Sequence, residues 1–313
     1  MSTRTPSHLN AALRLALVGI RRRGERGRPR ASVPSRKIAV EHQALLLPSS
    51  RLQRYLAATR GADLWRDSPL LPPTISAIWE TALVLELLAH DGLPLPKRGL
   101  VHLGGELVVV RPLRREDRVR CRVELDGLEG HSRGLVLQLR CRSWSAAGQL
   151  AQENRTSLLI RGAEAPLGTP RSGTRSANPE RAEAGEAADA AWRDVASWDL
   201  PASAGLTYAR ASGDFNPIHL WPWSARLLGF PRPILHGHCA LAMVAHEMMR
   251  ATGRDTRRLQ ARFRAPLELP ARVRLQTRAG NASGAAPLRL VDATGASKPF
   301  LEGEWVGADR SAC

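Results

Sequence analysis

The feature that most constrains this chain is that it repeats. Arg111-Pro112-Leu113 and Arg118-Val119-Arg120 recur as Ala265-Pro266-Leu267 and Arg272-Val273-Arg274, each 154 residues further on. Upstream, YLAATRGAD (Tyr55–Asp63) parallels YARASGD (Tyr208–Asp214), with the two tyrosines 153 residues apart. In a chain of 313 residues such a period leaves room for one unit built twice, each copy of ordinary domain size.

Both halves carry the same order of patterns. In the first, Pro72-Pro73 precedes an apolar helical run, Ile75–Ala89, that ends at Gly92. In the second, Pro231 and Pro233 precede Ile234–Met249, which ends near Gly253. Each run is apolar around most of its circumference, which predicts a helix wrapped by other structure. Strand patterns follow each helix: Leu100–Val110, Arg118–Leu125, Gly134–Trp144 and Leu150–Ile160, then Leu259–Ala265, Ala271–Arg278, Pro287–Asp292 and Phe300–Val306. Several alternate apolar and charged residues, as Arg118-Val119-Arg120-Cys121-Arg122-Val123 does, the pattern of an antiparallel sheet with one wet face. The expected class is α+β, a duplicated unit of one buried helix and an antiparallel sheet.

Two stretches fall outside this scheme. Residues 162–191 contain no Ile, Val, Phe or Tyr and read as a linker between domains at 39–161 and 192–308. Residues 1–38 read as a flexible basic arm. A solvated tail, an Arg-rich, acid-poor targeting segment and a contact for an acidic partner or membrane surface are all compatible with it. The net charge of +17 invites a nucleic-acid reading, but residues 1–40 alone hold ten basic residues against Glu25. Charged strand faces account for much of the rest, and no recognised motif or basic–aromatic interleaving accompanies them, so no nucleic-acid partner is expected. All but three of the basic residues (Lys37, Lys97 and Lys298) are arginine, a bias that coding composition alone can produce.

Cys121, Cys141, Cys239 and Cys313 form no CxxC pair, which suggests a reducing compartment. The apolar run Leu15–Ile20 is shorter than the roughly 7–15 residues of a signal-peptide core. No apolar stretch approaches the roughly 20 residues of a membrane-spanning helix. The expected location is cytoplasmic, or mitochondrial if the arm is a transit segment.

The chemistry is concentrated in YARASGDFNPIH (Tyr208–His219), followed by Ala225, Leu228-Gly229-Phe230, Pro233-Ile234 and Leu235-His236-Gly237. Asp214 and His219 flank an Asn-Pro turn that fixes the backbone between them. A carboxylate and an imidazole converging on one water form an acid–base pair. Asn216 can bond neighbouring backbone and hold the loop. His236-Gly237 opens the second apolar helix, where unpaired N–H groups and the helix dipole favour negative charge. Glycine there would admit a substrate carbonyl, making an oxyanion site. A metal site at His236, His238 and His246 is not expected, because the first two point to different helix faces and no acidic triad accompanies them. Trp221-Pro222-Trp223 reads either as lining for a substrate entrance or as packing. No Gly-rich phosphate loop is present, and no cofactor is expected.

This ordered string resembles the hydratase/dehydratase signature of the MaoC-like family, which includes the (R)-specific enoyl-CoA hydratases. The resemblance implies a double hot-dog fold: two antiparallel sheets, each wrapped around a long central helix. It implies a hydro-lyase that reversibly hydrates trans-2-enoyl thioesters or dehydrates (R)-3-hydroxyacyl thioesters, with acyl-CoA favoured. By position, Asp214 and His219 take the acid–base roles and the Gly237 N–H polarises the thioester carbonyl. Ser212, Asn216 and His236 are supporting residues. The partner is an acyl-CoA or acyl carrier protein thioester, and the chain is a monomeric pseudo-dimer or a homodimer. A 3-hydroxyacyl carrier-protein dehydratase and a non-catalytic thioester-binding subunit are the alternatives, the second disfavoured by an intact acid–base string. The first copy lacks that string. Asp63 reads as the counterpart of Asp214, but no His follows nearby, and Ile75-Ser76-Ala77 replaces His-Gly. One active site per chain is therefore expected.

Overall fold

The structure is a computed structural model that describes residues 38–90, 93, 100–164, 169, 191–280, 284–294 and 298–309. The expected arm, apart from Ile38, and most of the expected linker lie outside the described residues. The first half runs β1 (Ala39–Leu45), α1 (Ser49–Ala58), α2 (Ala62–Trp65), α3 (Ala77–Ala89), β2 (Leu100–Val109), β3 (Val119–His131), β4 (Gly134–Trp144) and β5 (Leu150–Arg161). The second runs β6 (Arg193–Leu200), α4 (Ala204–Ser212), α5 (Pro222–Leu227), α6 (Gly237–Thr252), β7 (Asp255–Phe263), β8 (Ala271–Thr277), β9 (Ala285–Asp292) and β10 (Leu301–Ala308).

The strands form one ten-stranded sheet in the order β1-β3-β4-β5-β2-β7-β10-β9-β8-β6. Read inward from either edge, the two halves have identical topology, so the double hot-dog is two five-stranded sheets joined edge to edge through β2 and β7. That pairing is antiparallel and places Glu106 opposite Gln260. These two residues are related by the same 154-residue offset as the Arg-Pro-Leu motifs, so the repeat maps the pair onto itself. The local twofold passes through it.

Alternation fixes which strand face meets the helices. In β3, Val119, Cys121 and Val123 are buried while Arg120 and Arg122 between them are not. The alternation lapses after Leu125 because the register against β4 shifts between Leu125 and Gly127. Such a bulge reverses the phase, and the strand continues to His131. The central helices are embedded as expected: Ala82, Leu83, Leu87 and Leu88 on α3, and Ala242 through Met249 with few gaps on α6, are buried. Both helices contribute to one apolar cluster that runs through the two halves.

Two differences from the sequence pattern have local causes. The residues after each proline pair are not yet α-helical. Pro73–Ser76 is a 3-10 turn, and Ile234 pairs as a bridge with Glu268 before α6 begins at Gly237. The edge strands β1 and β6 carry too few buried residues for a two-residue period to show. No helix among the described residues is long and apolar enough to cross a membrane.

Leu83 has no exposed surface at the centre of α3. Leu83→Ala should destabilise the chain by about 2–5 kcal/mol in urea unfolding, through lost burial and the cavity left behind.

Candidate active site

The signature string folds as a ladder of short-range bonds. α4 ends at Ser212 because Gly213 takes a left-handed conformation (φ 84°), and the Gly213 N–H donates to the Ala209 carbonyl. The Ser212 hydroxyl donates to the Tyr208 carbonyl (3.0 Å) and accepts from the Asp214 N–H (3.1 Å). Asp214 Oδ1 accepts from the Asn216 N–H at 3.1 Å, and Asn216 Oδ1 accepts from the Ile218 N–H at 3.4 Å. Each polar side chain thus bonds backbone two residues on, which makes the loop self-supporting. Pro217 opens the 3-10 turn Pro217–His219. From behind, α4 presses on this turn at Gly205, where a Cβ would lie 2.0 Å from the His219 carbonyl oxygen.

Two histidines from different segments meet in front of Asp214. His219 Nδ1 lies 2.7 Å from the Ile234 carbonyl, which can only accept, so Nδ1 carries the hydrogen and Nε2 of the neutral ring keeps a free lone pair. His236 Nε2 likewise donates to the Asp214 carbonyl at 2.9 Å. The two rings stack with centroids 3.6 Å apart. A ring nitrogen from each histidine and an Asp214 carboxylate oxygen all lie within 4.8 Å of one another. His219 and His236 are buried, whereas the Asp214 side chain keeps 30% of its surface open. The carboxylate is therefore the accessible member of the trio.

The electrostatics sort these groups into one charged and several neutral members. Burial pushes the Asp214 carboxyl upward, but His236, His219, His238 and the Asn216 N–H together outweigh it and hold the pKa below the usual carboxylate range. Burial lowers His219, opposed by Asp214 and the Ile234 carbonyl. Burial, with the charge of His219, pushes His236 down to about 3. Near neutral pH the site is an ionised carboxylate beside neutral imidazoles.

Gly237 is the first residue of α6, where the backbone N–H groups have no acceptors within the helix. Its surroundings include groups that no sequence signal singles out. A Cβ on Gly237 would lie 2.7 Å from His102 Nδ1 and 2.8 Å from Phe263 Cζ. His102 comes from β2 of the other half, its ring 4.6 Å from that of His238 and 4.9 Å from that of Phe263. Its only sequence signal is a histidine in a strand, which says nothing of a site in the opposite half. Trp221 and Trp223 are exposed and stack in parallel, 5.9 Å apart, so neither is core packing.

The first half does not reproduce this arrangement. Thr59 stands where Ser212 stands and makes the same hydroxyl bond, to the Tyr55 carbonyl at 2.8 Å. Arg60 keeps the left-handed turn of Gly213 with φ 57°. The next residue, opposite Asp214, is therefore Gly61 rather than Asp63. A Cβ on Gly61 would lie 2.4 Å from the His246 ring, which occupies the space a carboxylate would need. Asp63 instead forms a two-oxygen ion pair with Arg250 (2.7 and 2.8 Å). Ser76 caps α3 and Ala77 opens it, in the places of His236 and Gly237. His246 is thus separated from His236 and His238 and joins no cluster with them. Among the described residues, the grouping spaced to hold a metal ion is Asp214, His219 and His236.

His246 is fully buried, and burial pushes its pKa down to about 4. Unfolded histidine titrates near 6.5. As pH falls below about 6.5 the unfolded chain takes up the proton first, so stability is lost on acidification until the folded group also titrates near 4. Replacing His246 by Gln should flatten the fall of unfolding free energy in this window by about 1.4 kcal/mol per pH unit. An unchanged slope in urea titrations would contradict this.

Residues 181–291 match the sequence model of the MaoC-like domain. The chain is 28% identical over 264 residues to 3-hydroxyacyl-thioester dehydratase X of Mycobacterium tuberculosis, covering 82% of this chain and 85% of that protein. It is 32% identical over 173 residues to the peroxisomal enoyl-CoA hydratase 2 of Arabidopsis thaliana, a match that spans 54% of this chain and 55% of the plant protein. The crystal structure of HtdX from Mycobacterium tuberculosis superposes with a TM-score of 0.68 and 24% identity over 87% of this chain and 100% of that one. A second protein of that organism, described as a double hot-dog, superposes with a TM-score of 0.55 at 15% identity over 88% of this chain and 96% of that one. The matched domain contains the Asp214–His219–His236 site, so the second half of the chain carries a MaoC-like domain, within an architecture shared with double hot-dog proteins.

Proposed function

We propose that the chain is a hydro-lyase that adds water across the 2,3 bond of a trans-2-enoyl thioester, and removes it from the (R)-3-hydroxyacyl thioester. The observation that carries this reading is the convergence of an ionised Asp214 carboxylate and the His219 Nε2 lone pair beside the open helix start at Gly237. In hydration, a water held between Asp214 and His219 attacks C3 while one of its protons passes to the carboxylate. His219 Nε2 accepts the other O–H and aims the oxygen. The C2=C3 electron pair moves toward C2 and the thioester oxygen, where the Gly237 N–H and the positive end of α6 stabilise the developing charge. Asp214 then returns its proton to C2 on the same face, so the addition is syn and the site regains its starting state. Dehydration runs the same steps backwards.

His236 supports the pair by holding the Asp214 carbonyl, and Ser212 and Asn216 by fixing the loop. The reaction needs no group beyond these residues and water. We favour acyl-CoA over acyl carrier protein as the carrier, and assaying one acyl chain on both decides between them. The buried free thiols of Cys121, Cys141 and Cys239 suit a reducing compartment. A single chain supplies both halves of the double hot-dog, so the pseudo-dimer is the minimal active unit.

Asp214→Asn and His219→Ala should each lower kcat on crotonyl-CoA by about 10²–10⁴-fold while leaving the circular-dichroism spectrum unchanged. Wild-type turnover in either folded variant sinks the assignment.

A further inference from the structure

We propose that Arg51, which belongs to the half without a site, is the positioning residue that fixes Asp214 for proton transfer. Its catalytic meaning rests on the hydratase reading, while the geometry stands by itself.

α1 and α4 are twin elements of the repeat and pack against each other, with the rings of Tyr55 and Tyr208 6.1 Å apart. Arg51 lies one turn before Tyr55, and its guanidinium crosses to the end of α4. Nε donates to the Ala211 carbonyl at 2.8 Å and Nη2 to the Ser212 carbonyl at 2.7 Å. Both acceptors belong to the last turn of the helix, where carbonyls have no intrahelical donor and the dipole favours a cation. Ala211 and Ser212 are completely buried.

The fork matters because of the residues next in the chain. Only Gly213 separates Ser212 from Asp214, and glycine is the least restrained hinge available. The Asp214 N–H is tied back to the Ser212 hydroxyl, so the position of Ser212 determines that of Asp214. The fork therefore clamps the last rigid point before the carboxylate. Proton transfer is sensitive to displacements well below an ångström, so a loosened clamp reduces turnover more than binding.

The repeat supplies an internal control. The residue equivalent to Arg51 in the second half is Ala204, which cannot reach back. The equivalent carbonyls of the first half, Ala58 and Thr59, are met instead by Cys239 Sγ (3.7 Å) and His246 Nδ1 (3.0 Å). The charged fork is made in one direction only, toward the half that kept its carboxylate. Lysine would not reproduce it, since a single ammonium lacks the planar pair of donors.

The test uses Arg51→Gln and Arg51→Lys in the full chain, each with two readouts. On an enoyl thioester, kcat should fall about 10- to 100-fold in Arg51→Gln while KM changes little. The acid limb of the pH–rate profile should move to higher pH, because a displaced carboxylate loses the histidine surroundings that now hold its pKa down. Independently of turnover, the Asp214 carboxyl resonance, titrated by carbon NMR, should move to higher pH in the same variant. Arg51→Lys keeps the charge and covers the case in which Arg51→Gln does not fold; it should lie between wild type and Arg51→Gln on both readouts. A folded variant with an unmoved Asp214 titration overturns the proposal, as does a loss confined to KM. A wild-type chain inert on every enoyl thioester, in which Arg51→Gln still shifts the titration, overturns the hydratase reading and leaves the clamp standing.

Discussion

The antiparallel pairing of β2 with β7 is the contact on which the other features rest. Separately, each half would present one of these strands as an open edge, with a row of unpaired backbone groups that invites uncontrolled pairing. Joined, they complete one sheet that packs on both central helices, and they set the register between the halves. That register brings His102 of β2 against Gly237 of α6. It also aligns the α1 and α4 segments, so that the guanidinium of one reaches the helix end of the other. The site is formally within the second half, yet its wall and its clamp come from the first.

Within that frame, the site depends on keeping one group charged among groups kept neutral. Asp214 stays ionised near neutral pH because its carboxyl titrates below the usual range: the Asn216 N–H and, once protonated, the histidines favour its charge over its partial burial. The histidines stay neutral because burial outweighs the carboxylate. Neutrality matters most at His219 for the proposed reaction, since a proton on Nε2 would remove the lone pair proposed to receive a water hydrogen. The division of roles comes from the backbone carbonyls of Ile234 and Asp214, which choose the tautomers.

Much of this was legible in the sequence, for identifiable reasons. The repeat, the two apolar helices and the inner strands are periodic signals, and burial enforces periodicity. Asp214, Asn216 and His219 were legible because the loop is held by bonds between residues two apart, so its logic is written in consecutive letters. Arg51 and His102 were not, because their partners lie in the other half and only folding introduces them. The pairing of Asp63 with Asp214 by residue type was mistaken, since identity of letter is weaker than identity of backbone. The shared hydroxyl bond of Thr59 and Ser212 and the left-handed turn at Arg60 and Gly213 set the true correspondence.

The turn at Arg60 has the left-handed shape of the turn that precedes Asp214, although an arginine tolerates it poorly. The room for a carboxylate, however, is occupied by His246, a side chain of the second half's own central helix. Placing an acid at Gly61 would therefore collide with the core of the second half. The first copy thus serves as a packing partner of the second, and a single substitution at Gly61 cannot give it an acid without disturbing its partner's core.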